Sequence, residues 1–110
     1  MALNSAPDSL PIPFPLSNPD KRKLKGMAQR MEPTLKLGRA GLSDGFLRSV
    51  SEALDLHELV KVRFDEFKEQ KHELMPLMAQ RTGSELIMQV GHVAVLWKRN
   101  PDEAKRKIRF

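Results

Sequence analysis

Apolar residues recur along this chain at two different spacings, and each change of spacing marks a new element. Leu24, Met27, Ala28 and Met31 fall at i, i+3, i+4 and i+7, one face of a helix, while Lys21, Arg22, Lys23, Lys25 and Arg30 lie mostly off it. The spacing predicts a first helix over residues 19–31, with Asn18 as N-cap and Pro19 at the first helical position. Pro33 ends it, and "TLKL" follows as a short strand. After the turn Gly38 to Gly41, Ser43 caps a second helix whose buried stripe is Phe46, Leu47, Val50, Ala53 and Leu54, with Asp44 favourable to the dipole in its first turn.

"ELVKVRF" (58–64) then alternates, Val60, Val62 and Phe64 on one side and Leu59, Lys61 and Arg63 on the other, which is a strand with one dry face. The charged stretch 65–73 reads as a loop, and "LMPLMAQRTG" as a third helix closing on Gly83. Pro76 allows two arrangements, a late start with the proline in the first turn or a kinked helix. "ELIMQV" and "VAVLWK" alternate and are joined by Gly91 and His92, a two-residue hairpin signal. The predicted order is α-β-α-β-α-β-β: an α/β chain of the α+β two-layer kind, three helices packed on a four-stranded mixed sheet. The expected division is a Pro-rich disordered tail over 1–18, one domain over 19–99 and a basic C-terminal tail over 100–110.

Composition narrows the chemistry. The 110 residues carry 19 Lys+Arg against 14 Asp+Glu, a formal charge of +5, which favours polyanionic partners. The absence of cysteine removes disulfides, thiolate metal sites and a cysteine nucleophile, and fits a reducing compartment. No apolar run reaches the roughly 18 to 20 residues of a membrane span, and Pro7, Pro11, Pro13 and Pro15 interrupt any signal-like apolar stretch, so a cytoplasmic protein without a membrane partner is expected.

His57, His72 and His92 show no metal-site or catalytic spacing. The carboxylates Glu52, Asp55, Glu58, Asp65, Glu66 and Glu69 lie among lysines and arginines, as a solvated face does. Neither an enzyme nor a metal, cofactor or small-molecule substrate is expected. Trp97 falls in the apolar set of the last strand with Val93 and Val95, and is expected to be buried. The six aromatic residues are not interleaved along the strands, so a base-stacking platform is not expected.

The remaining feature is "LKLGRAGLSDGF". A G-x-x-G alone is common by chance, but here it lies between a strand and a helix start. Glycine permits close backbone approach, the helix directs its unpaired amides and positive dipole end to the same place, and Arg39 adds a cation. An ordinary tight turn is the plain alternative. No G-K-[ST] follows, so a nucleotide P-loop is not indicated.

"LKGMAQRMEPTLKLGRAGLSDGF", "HELVKVRF" and "RTGSELIMQVGHVAVLWKR" together resemble, in order and spacing, the CRM domain (chloroplast RNA splicing and ribosome maturation), above all its stand-alone bacterial YhbY-type form. The resemblance covers about residues 19 to 99. It implies a fold similar to the C-terminal domain of translation initiation factor three, RNA as partner, and association with precursors of the large ribosomal subunit. It also implies that Gly38, Arg39, Ala40 and Gly41 form the loop that approaches the RNA backbone, as in KH domains. Lys21, Arg22, Lys25, Lys36, Lys61 and Arg63 complete the expected RNA-binding surface, with Lys105, Arg106 and Lys107 adding non-specific contacts. The competing expectation is a protein-interaction module whose basic charge is incidental.

Overall fold

A computed structural model describes residues 16–110; the proline-rich segment 1–15 lies outside the described residues. The elements are α1 (Asn18–Gln29), β1 (Leu35–Leu37), α2 (Asp44–His57), β2 (Leu59–Phe64), α3 (Lys71–Thr82), β3 (Glu85–Val90) and β4 (Val93–Trp97), with single 3-10 turns at Lys68–Gln70 and Glu103–Lys105. Their order is the one the spacing predicts. The four strands form one sheet in the order β1-β2-β4-β3. β1 runs parallel to β2 through α2, with Leu37 opposite Phe64, while β4 is antiparallel to both β2 and β3, so the sheet is mixed.

Helices cover both faces rather than one. Val60, Val62 and Phe64 of β2 point to α2 and α3, where they meet Val50, Leu54, Met75, Met78 and Ala79. On the other face Leu59, Ile87, Val95 and Trp97 meet Leu24 and Ala28 of α1. The expected two layers are therefore three, because Leu59 gives the second face of β2 an apolar site that α1 can cover. A bulge in β3, where Leu86 pairs with Leu96 and Met88 with Val95, turns Ile87 and Met88 both toward α1.

α1 is capped one residue earlier than expected. Ser17 Oγ accepts the amide of Asp20 at 3.2 Å and the Asp20 carboxylate accepts the amide of Ser17 at 3.1 Å, a capping box that leaves Asn18 and Pro19 inside the first turn. Leu16 packs against the α1-side core, so the domain begins before residue 19. α3 starts at Lys71, which puts Pro76 inside the helix and not in its first turn. The carbonyl that loses its donor is that of His72, an exposed residue.

The basic C-terminal segment is docked, not a free tail. Ile108 is buried in the α1-side core, Phe110 stands edge-on to Trp97 with ring centroids 5.8 Å apart, and Lys23 lies over the Phe110 ring and donates to the Arg109 carbonyl.

Candidate functional site

Three connections meet at one end of the sheet because β1 and β2 are parallel and β4 is antiparallel to β2. The Leu37 carbonyl, at the end of β1, accepts the amides of Asp65 and Glu66 just beyond β2, at 3.1 and 3.2 Å. The Phe64 amide donates to the carbonyl of His92 in the β3–β4 turn at 2.7 Å. Residues 38–43, 65–70 and 91–92 are thereby held side by side.

The G-x-x-G segment is a closed turn, the Gly41 amide donating to the Gly38 carbonyl at 3.1 Å. Its two glycines have different reasons to be glycine. Gly41 has φ +66°, and a Cβ there would lie 3.3 Å from the Phe67 ring, so the fold itself requires it. Gly38 has no such constraint: a Cβ would meet nothing within 4 Å. Gly38, Arg39 and Ala40 are exposed, so the turn is not covered by other protein.

Beside it begins α2, where Ser43 Oγ accepts the Phe46 amide at 3.1 Å. The amides of Asp44 and Gly45 precede the first intrahelical bond, and a Cβ at Gly45 would also meet open space. The result is a stretch of exposed, nearly bare backbone in which the amides of Asp44 and Gly45 have no intrahelical acceptor, with Arg39 and Lys36 exposed in and just before the turn. Asp44 is the carboxylate closest in sequence. Asp65, whose amide donates to the Leu37 carbonyl beside the turn, is held below the usual carboxylate range, first by the Arg63 guanidinium that donates to it at 2.7 Å and then by the charges of Arg63, Lys36 and Lys68.

Of the ten residues that the sequence nominates, Gly38, Arg39, Ala40, Gly41 and Lys36 come together here. Arg63 reaches the same end but is paired with Asp65. Lys61 takes a different role: its ammonium donates to the carbonyls of Ala28 and Met31, both at 3.0 Å, closing the C-terminus of a helix that has no cation of its own in its last turn. Lys21, Arg22 and Lys25 sit on α1, across the sheet from α2. Lys21 lies 3.8 Å from Glu85, whose strand partner Trp97 marks the opposite end of the sheet from the turn. Among the C-terminal cations, Arg106 donates to the Asn100 carbonyl at 2.9 Å, while Lys105 and Lys107 are exposed.

Phe67, Lys68, Lys71 and His92 join the site without having been nominated. The Lys71 ammonium donates to the Gly91 carbonyl at 2.7 Å and lies 3.3 Å from His92 Nδ1. Partial desolvation, then the charges of Lys71 and Lys68, push the His92 pKa below that of a free imidazole. Phe67 holds its backbone at φ 58°, ψ 34°, left-handed geometry that costs a bulky L-residue roughly 1–2 kcal/mol. Only the strand register places these residues next to Gly38, and register is not visible in a linear spacing.

Among the described residues no group of three metal-ligating side chains converges, and no helix is long and apolar enough to cross a membrane.

The family model described as the CRS1 / YhbY (CRM) domain matches residues 16–98. A Haemophilus influenzae protein named as an RNA-binding protein is 35% identical over 91 residues, 82% of this chain and 91% of its own length. The Bacillus subtilis protein named "Probable RNA-binding protein YqeI" is 27% identical over 88 residues, 79% of this chain and 92% of its own. The solution structure of SAV1595 from Staphylococcus aureus superposes with a TM-score of 0.68 at 23% identity, covering 86% of this chain and 99% of that one, which is a likeness of fold.

Proposed function

The chain belongs to the CRS1 / YhbY (CRM) domain family, and from that premise we propose that it binds RNA through the backbone of the Gly38–Gly41 turn and the amino end of α2. The observation that carries this reading is the open space at Gly38. The fold makes no demand for glycine there, whereas a sugar–phosphate strand lying on the turn requires the main chain uncluttered. Arg39 and Lys36 supply the charge, Lys68 and Lys71 extend it along the same end of the sheet, and the helix dipole has the sign that a phosphate needs. Most contacts are to phosphate, so sequence discrimination is low.

The RNA we assign is that of precursors of the large ribosomal subunit, the class implied by resemblance to stand-alone bacterial members of the family. Co-sedimentation of the protein with such precursors, and not with mature subunits, tests that assignment.

The binding mode is tested by Arg39→Glu. The substitution is on an exposed turn crest, so the melting temperature stays at the wild-type value while affinity for single-stranded RNA falls at least tenfold. An unchanged dissociation constant removes the turn from the interface. Association with a protein partner that survives nuclease and high salt would favour the interaction-module reading instead.

A further inference from the structure

We propose that Phe67 is a nucleobase-stacking residue, its ring taking the face of an unpaired base in the strand whose phosphates lie on the Gly38–Gly41 turn. The inference rests on the RNA-binding reading above and adds to it a contact to a base rather than to the backbone.

Phe67 belongs to neither hydrophobic core. One edge of its ring lies against Gly41, and 38% of the residue remains exposed. An aromatic residue in left-handed geometry is an outlier that ordinary packing does not explain, since Asn or Gly fits the same backbone better. The surroundings fix it in place: Asp65 and Glu66 are pinned by the Leu37 carbonyl, and the Phe67 carbonyl accepts the Gln70 amide at 3.1 Å. The ring is thus presented on a braced loop beside the proposed phosphate path, with Lys68 following directly in sequence.

The sheet offers no rival stacking surface, because Phe64 and Trp97 are buried and both faces are covered by helices. Phe46 is half-buried in the α2–α3 core, and Phe110 is docked on Trp97 on the α1 side. A single loop aromatic stacks one base whatever its identity, which agrees with low sequence discrimination.

The test compares two labelled strands of equal length by fluorescence anisotropy: a single-stranded RNA 12-mer, and the same ribose-phosphate strand with abasic sites throughout. Phe67→Ala is expected to weaken binding of the RNA by about tenfold, within the range for loss of one base–aromatic stack, and to leave the abasic strand unchanged. Phe67→Tyr should retain wild-type affinity. Phe67→Leu, which keeps bulk against Gly41 without a π face, should behave as Phe67→Ala and carries the test if the smaller side chain lowers the melting temperature. Wild-type-like RNA binding by Phe67→Leu overturns the stacking role while leaving the RNA-binding reading intact. Equal loss on both strands also overturns it, reducing Phe67 to a support for the turn. Failure of the wild type to bind either strand removes the RNA-binding reading and the stacking role with it.

Discussion

The carboxylate of Glu58 accepts the backbone amide of Ile108 at 3.0 Å, tying the end of α2 to a segment fifty residues further along the chain. The same carboxylate accepts the amides of Lys107 at 2.7 Å and Asn100 at 2.6 Å, and Glu58 is only 1% exposed. A buried charge with three donors is well compensated, and the donors depend on it as much as it depends on them. The backbone of Glu58 adopts φ 66°, a strained position held by this bonding. The strap in turn places Ile108 in the α1-side core and Phe110 on Trp97.

Glu58→Ala should therefore destabilise the domain by about 2 to 3 kcal/mol, since the amides of the strap lose their acceptor and Ile108 its anchor. In a domain of this size that is a fall in melting temperature of roughly 10 to 20 °C. Thermal unfolding by circular dichroism measures it, and a shift of a few degrees would mean that the strap contributes little.

The two glycines of the turn should separate stability from binding. Gly41→Ala forces a side chain into left-handed backbone and against the Phe67 ring, and should cost about 1 to 2 kcal/mol in urea unfolding. Gly38→Ala meets open space and should leave stability within about 0.5 kcal/mol of wild type while weakening RNA binding. Equal loss of stability at both positions would contradict the division of roles.

Lysines should divide in the same way. Lys36→Ala and Lys68→Ala each remove a proposed phosphate contact, and each should lower the magnitude of the log–log salt slope by about 0.7 on single-stranded RNA. Lys61→Met leaves the carbonyls of Ala28 and Met31 without their donor, so it should lower stability by about 1 kcal/mol and leave the slope unchanged. Titration of binding between low and high salt distinguishes the two groups.

If the proposed interface includes His92, binding should depend on pH with a sign that follows from the charges of Lys71 and Lys68 beside it. Its pKa in the folded protein lies below the unperturbed 6.5, so it is neutral at pH 7, and stability declines as pH falls from about 6.5 through the folded value, where the unfolded chain takes up a proton first. A phosphate bound beside Lys68 and Lys71 would offset their repulsion and raise the His92 pKa relative to the free protein. RNA affinity should therefore increase as pH falls from 7.5 to 5.5. His92→Gln should abolish the change; an affinity independent of pH in the wild type would place His92 outside the interface.

Much of this fold is legible in one-dimensional pattern. The parity of Val60, Val62 and Phe64 identifies the inner face of β2, Ser43 the start of α2, and Gly91 with His92 the β3–β4 turn. What pattern misses is set by long-range partners. Lys61 alternates like a solvent-facing cation and instead closes α1, because a helix lacking a cation in its last turn happens to end beside it. Glu58 and Ile108 lie in what linear reading assigns to a charged face and a basic tail, and only the folded chain shows them bonded. Phe67 sits among six charged neighbours without periodicity, and nothing short of the parallel register of β1 on β2 places it against Gly41.

The central claim, that a ribose-phosphate strand lies on the Gly38–Gly41 turn and the start of α2, is tested most directly by titrating single-stranded RNA into labelled protein and following its backbone amide resonances. The largest shifts should fall on Gly38, Arg39, Ala40, Asp44 and Gly45, with a smaller set at 67–71 and 91–92. Shifts confined to the exposed side of α1, at Arg22 and Lys25, with the turn unmoved, would contradict it.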